Sequence, residues 1–120
     1  MNLPHQKPIR FINNIVDKTD TYYIINCTFP YIPTLAMVCE AAAQSAAAFA
    51  QENDKPIIGF LISLKNVKIL SKFVNTKYKV KIEKTFNFGT MTEYKFELID
   101  ELNCYAMGEL TIALDNKNNL

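Results

Sequence analysis

The sequence predicts an α+β domain in which a curved antiparallel sheet of about six strands wraps around one long helix, and three observations lead there. Residues 33–53 contain eight alanines, no glycine, and a proline only at the first position, so a single strong helix is expected, at about 34–53. The apolar residues of that stretch cover nearly the whole helix circumference, which demands burial on most sides. The other patterned segments are rich in β-branched and aromatic residues, several alternate with period two, and short polar turns join them, as in antiparallel strands. One helix that is apolar nearly all round needs a wrap rather than a flat layer. A second copy of the chain is the expected cover for whatever side the sheet leaves open.

Taken in order, Leu3-Pro4-His5-Gln6-Lys7-Pro8 is an irregular lead-in fixed by two prolines. A first strand is expected over 9–16, with Phe11 and Ile12 in its middle, and a second over 21–29 after the polar turn at 17–20. Phe29-Pro30-Tyr31-Ile32-Pro33 then forces an extended approach, because each proline pushes its predecessor out of helical geometry. Thr34 is the expected N-cap and Asn53-Asp54-Lys55-Pro56 the stop. Residues 57–70 read as one long strand with an irregularity near Gly59 or Ser63. Strands at 77–88 and 93–98 flank a turn at Asn87-Phe88-Gly89-Thr90. The last strand presents Cys104, Ala106, Gly108, Leu110, Ile112 and Leu114 on one face, and the polar tail 115–120 is expected to fray.

Composition bounds the function. The 120 residues fit one domain, 1–120, and no apolar run is long enough for a membrane span, since Glu40 interrupts the longest candidate. No secretory leader is read before the first strand, and Cys27, Cys39 and Cys104 are odd in number and set in apolar sequence. Reduced thiols in a cytoplasmic protein are expected. No two Cys or His stand at ligand spacing, so neither a metal nor another cofactor is expected.

Net charge is +1, but residues 65–84 hold seven lysines against Glu83 alone. One reading is a solvated strand face whose lysines discourage edge pairing. The other is a docking surface for an acidic partner. Nucleic acid is disfavoured, because neither arginine nor an aromatic binding motif accompanies the lysines.

Within the helix, Glu40, Gln44 and Gln51 fall within about 40° of one another at 100° per residue, a stripe of one carboxylate and two amides. An ionisable residue on so apolar a helix needs a reason.

Three stretches carry a resemblance. Leu3-Pro4-His5, two residues, a proline and Ile9-Arg10-Phe11-Ile12 look like the L-P-H-R-x-P-x-L-L-x-D signature of the beta-hydroxyacyl-acyl-carrier-protein dehydratases. Glu40-Ala41-Ala42-Ala43-Gln44 is similar to their E-A-x-A-Q helix motif, and residues 59–69 resemble the strand that follows it. The match covers most of 3–82, and the compact length looks most like the dehydratase-related proteins of aryl polyene clusters.

The resemblance implies the hotdog fold, a dimer, and removal of water from a 3-hydroxyacyl thioester on acyl carrier protein to give the trans-2-enoyl thioester. It casts Glu40 as the catalytic carboxylate, whose pKa burial would raise. Gln44 is its companion, and helix amides after Pro33 and Thr34 would polarise the thioester oxygen. Phe29, Tyr31 and Phe60 are candidates for the wall of an acyl tunnel, with plain aromatic packing as the alternative. The lysines of 65–84 would attract the acidic carrier.

The sequence departs from the family at Gly-His-Phe-Pro-Gly, where it reads Cys27-Thr28-Phe29-Pro30-Tyr31. Thr28 cannot act as a base, although its hydroxyl can hold a water or the substrate hydroxyl. His5 is the one imidazole of the chain. It is either the second catalytic group, across from Glu40, or a structural residue of the lead-in. Three activities stay open: a dehydratase, a catalytically incomplete hotdog protein that binds acyl chains or partners an active homologue as a homodimer or heterodimer subunit, and an acyl thioesterase.

Overall fold

The computed structural model describes residues 10–50 and 57–116, with the side chains of all of these except 50, 57–60 and 114–116. In chain order the elements are β1 (Ile12–Lys18), β2 (Tyr22–Thr28), α1 (Leu35–Ala50), β3 (Ile57–Ile69), β4 (Lys77–Phe88), β5 (Met91–Ile99) and β6 (Cys104–Asn116). The six strands form one antiparallel sheet in the order β1-β2-β4-β5-β6-β3, so β1 and β3 are its edges.

The core lies between one face of the sheet and α1. Alternation puts Tyr23, Ile25 and Cys27 of β2 inward, with Tyr78, Val80 and Ile82 of β4 and Tyr94, Phe96 and Leu98 of β5 beside them. Val38, Ala41, Ala42 and Ala46 of the helix meet them, and the small alanines allow close approach. Ser45 is buried among them and satisfies its hydroxyl by donating to Ala41 O at 2.8 Å.

Local chemistry sets the boundaries. Thr34 caps α1, its Oγ1 accepting from Met37 N at 3.2 Å, as its position predicts. Gly89, at φ 65°, supplies the left-handed residue that the β4–β5 turn needs. In the β5–β6 turn, Asp100 Oδ1 accepts from the amides of Leu102 (2.8 Å) and Asn103 (2.9 Å), and Oδ2 accepts from the Tyr105 hydroxyl at 2.7 Å. These three donors hold the Asp100 carboxyl below its ordinary pKa, the hydroxyl most strongly.

The helix has the open side that the sequence reading left for a second copy: Ala36 and Glu40 are exposed, and Cys39, Ala43, Gln44 and Ala47 beside them are half-buried. One expectation is corrected. The first strand begins at Ile12, and register shifts at two places break its pairing with β2.

Candidate active site

The open side of α1 and the inner side of edge strand β3 form a groove. Near the helix N-terminus it encloses about 500 Å³ between Leu35, Ala36, Cys39 and Glu40 of the helix and Leu61, Leu64 and Val67 of β3. Toward the helix C-terminus it continues as a hollow of about 280 Å³ lined by Glu40, Ala43, Gln44, Ala47, Leu61 and Ile112. Glu40 and Leu61 belong to both parts. The carboxylate therefore stands where two open hollows adjoin, lined otherwise by apolar residues and Gln44.

Helical spacing explains one wall, since positions 36, 40, 43, 44 and 47 recur at three and four residues and share a face. The other wall depends on a break in the strand. Leu61 pairs with Ile112 and Leu64 with Leu110, with a register shift between Leu61 and Ser63. The extra residue puts two leucines three apart on the same inner face. A second shift lies between Lys65 and Lys68, where Asn66 takes φ 56° and its Nδ2 donates to Glu109 Oε1 at 2.9 Å.

Gln44 sets the geometry of the carboxylate. Its Nε2 donates to Glu40 Oε2 at 3.3 Å, one turn back, while its Oε1 accepts from the backbone amide of Phe11 at 2.9 Å. Glu40 is exposed in the single chain, so the expected burial of the carboxylate requires a further covering surface. Cys39 also borders the groove, but burial pushes its thiol up and away from the reactive thiolate.

The other candidate residues fall in different places. Thr28 ends β2 on the exposed side, its hydroxyl donating to Asn13 Oδ1 at 2.9 Å. Phe29 packs in the core, its ring 5.0 Å from that of Phe11 and 6.3 Å from that of Tyr78, and takes no part in lining the groove. Pro33 is buried, and Thr34 is the cap of a helix whose first residues, Leu35 and Ala36, border the groove. Phe60 pairs with Ala113 through the backbone, and its side chain lies outside the described ones. His5 and Gln51 lie outside the described residues. Leu61, Leu64, Val67, Cys39 and Ile112 are among the lining residues that the sequence reading missed.

The lysine-rich segment does not make one uniform patch. Lys65 is 3.1 Å from Glu93, Lys79 is 3.0 Å from Glu101, and Lys81 lies over the Tyr22 ring at 4.8 Å from its centroid. Lys68, Lys72, Lys77 and Lys84 are exposed.

Six antiparallel strands against one helix, with this strand order, superpose on a recurrent architecture. A chain of the dehydratase heterocomplex ApeI:P from Xenorhabdus doucetiae matches with a TM-score of 0.75 at 15% identity, over 97% of this chain and 90% of that one. The chain has the hotdog fold. A mutant of thioesterase PA1618 from Pseudomonas aeruginosa matches with a TM-score of 0.70 at 10% identity, over 86% and 80% of the two chains. Thioesterase HI1161 from Haemophilus influenzae matches with a TM-score of 0.63 at 12% identity, over 85% and 77%. No protein-family model matches the sequence, and no curated protein is significantly similar to it. Hotdog neighbours thus include both a dehydratase complex and thioesterases. No helix among the described residues is long and apolar enough to cross a membrane.

Proposed function

We propose that the groove receives the acyl chain of a 3-hydroxyacyl thioester borne on acyl carrier protein, and that Glu40 moves a proton in its dehydration. One observation carries this reading: a single carboxylate, bonded by the Gln44 amide, borders two adjoining hollows lined mostly by apolar side chains. Dehydration needs a base to take the proton alpha to the thioester carbonyl and an acid to protonate the 3-hydroxyl. The C–O bond then breaks and water leaves with the enoyl product. Glu40 supplies one of these groups and His5 is the proposed other. The amides of Leu35 and Ala36, at the positive end of α1 and beside the groove, are the candidates to stabilise negative charge developing on the thioester oxygen.

A second hotdog subunit completes this site. The β3 edge is thirteen residues long, and Leu61, Ile62, Leu64 and Ile69 are exposed on it, an arrangement that calls for a covering strand. Such a subunit would also cover Glu40, supplying the desolvation that a proton-transfer carboxylate needs. The exposed lysines at 68, 72 and 77 suit an acidic carrier arriving at the same end of the sheet. Three free thiols fit a reducing, cytoplasmic setting.

Thr28 favours a second reading. It occupies the position of the family's histidine and is bonded to Asn13, so the chain fits the role of partner to a subunit that carries a complete site. A thioesterase, with Glu40 activating water, is the third reading.

Mass spectrometry of a 3-hydroxyacyl carrier separates the three. The dehydratase reading expects loss of water with wild-type protein alone, abolished by Glu40→Gln. Activity only after mixing with a hotdog subunit bearing the Gly-His-Phe-Pro-Gly histidine identifies the partner role. Release of the acyl group identifies a thioesterase, and absence of turnover both alone and in mixtures removes the enzymatic assignment.

A further inference from the structure

The inward wall of β3 is built by two breaks in register that offset each other. Leu61 faces inward opposite Ile112, and after the first break Leu64 faces inward opposite Leu110. Strict alternation from Leu64 would then turn Asn66 and Lys68 toward the helix, and Val67 and Ile69 away from it. The second break prevents this. Lys65 pairs with Glu109 and Lys68 with Met107, so two residues of β3, Asn66 and Val67, stand opposite Gly108 alone. Asn66 takes the extra place on the outer face, while Val67 turns inward and borders the groove beside Leu35, Ala36 and Cys39. The wall residues therefore recur at every third position, 61, 64 and 67.

Two features hold the second break. Gly108 leaves room for it: the point where a Cβ would stand is 3.0 Å from Val67 Cγ2 and 2.8 Å from Cε2 and Cζ of Phe96, so the valine methyl lies over β6 against that ring. Asn66 supplies the turn, at φ 56°, a left-handed backbone that asparagine adopts more readily than most residues with a side chain. Its Nδ2 donates to Glu109 Oε1 at 2.9 Å on the neighbouring strand. Both partners lie on the face turned away from α1, where they border a notch with Lys68, Lys95 and Met107. Glu109 itself is outside the lining of either hollow of the groove.

We propose that Glu109 is a positioning residue for the groove. By accepting from Asn66 on one face of the sheet, it locks the break that keeps Val67, rather than Asn66 and Lys68, on the other. It touches no ligand and acts by fixing the wall beside the first turn of α1, where the thioester oxygen is proposed to sit. For its substrate this role rests on the dehydration proposed above; its geometry does not. The acceptor matters more than the charge, since Oε1 is the bonded atom and the charge has a separate neighbour in Lys95, the partner of Glu109 in the β5–β6 register.

Steady-state kinetics on a 3-hydroxyacyl carrier, joined to NMR of the same variants, tests the role. Glu109→Ala is expected to raise KM about tenfold and to leave kcat within about twofold, because Glu40 is untouched. Glu109→Gln keeps the acceptor and should rescue the wild-type KM. In a Val67→Ala background, Glu109→Ala should add little to KM, because the side chain through which it acts is already trimmed. The NOE between the Val67 methyls and the Phe96 ring should be present in wild type and Glu109→Gln and weakened in Glu109→Ala. Asn66→Ser cuts the same bond from the other end and should match Glu109→Ala, with circular dichroism melts establishing that each variant is folded. A KM unchanged in Glu109→Ala and Asn66→Ser, an equal rise in Glu109→Gln, or an additive rise in the Val67→Ala background overturns the inference, as does an NOE that Glu109→Ala leaves at full strength. If wild-type protein turns no substrate over, the dehydratase reading fails instead, and the NOE comparison alone decides whether Glu109 sets the wall.

Discussion

Phe11 and Gln44 are thirty-three residues apart in the chain, yet the amide of the first donates to the side-chain oxygen of the second at 2.9 Å. An N–H meets only the oxygen end of the carboxamide, so the Gln44 amide has one orientation and its NH₂ end must face Glu40.

Gln44→Met is expected to leave a part-buried donor without its acceptor, at a cost of about 1–3 kcal/mol. Gln44→Glu keeps the acceptor for Phe11 and sets a second carboxylate beside Glu40. Urea melts should place Gln44→Glu closer to wild type in stability, while hydrogen exchange at the Phe11 amide accelerates in Gln44→Met. Unchanged stability and exchange in Gln44→Met would dissolve the tie.

Gly108 has no room for a methyl group. A Cβ there would stand 2.8 Å from Cε2 and Cζ of Phe96 and 3.0 Å from Cγ2 of Val67. Phe96 is a core ring, so Gly108→Ala should destabilise by about 1–3 kcal/mol. Trimming the obstacle with Phe96→Leu should make the glycine substitution less costly than it is in the wild-type background, which a double-mutant cycle on thermal melts measures.

Asp100 links stability to pH. Its folded-state pKa lies below that of the unfolded chain, so its contribution is fully present above the ordinary value of about 3.9 and is lost as pH falls through the lower, folded value. Asp100→Asn should therefore be less stable than wild type at pH 6, with the difference closing as pH is taken below 3. A difference constant from pH 6 to pH 2 would contradict the sign.

Cys27 is buried in the core, and desolvation pushes its thiol up to about 12. At pH 8 only about one molecule in ten thousand carries the thiolate there. Iodoacetamide should leave Cys27 unlabelled in the folded protein and label it in urea, as peptide mass mapping reads. Half-buried Cys39 and Cys104 are expected to react before it.

Much of the fold was legible because alternation is unbroken where the core is deepest. Tyr78, Val80 and Ile82, then Tyr94, Phe96 and Leu98, fall on one side by parity alone and are buried there. Thr34 announced the helix start by its chemistry. The polar stripe already marked Glu40 and Gln44 as the open side, but its extent over Ala36, Ala43 and Ala47 was not legible, since a run of small apolar alanines does not say which of them are bare. The β3 wall was hidden for another reason. Strict alternation groups positions 60, 62 and 64, whereas the shift after Leu61 groups Leu61 with Leu64. The same effect at Thr85 turned Phe86 and Phe88 outward against their pattern. Asn66 tolerates its left-handed backbone without advertising it.

The two edges of the sheet are unlike, and the difference counts copies. β1 is seven residues long with two breaks in register, whereas β3 runs for thirteen. A chain with two good edges adds neighbours without end, as fibres do. A chain with one good edge stops when two such edges have met. Under the proposed pairing through β3, the irregularity of β1 would act as a terminator and keep growth of the sheet finite.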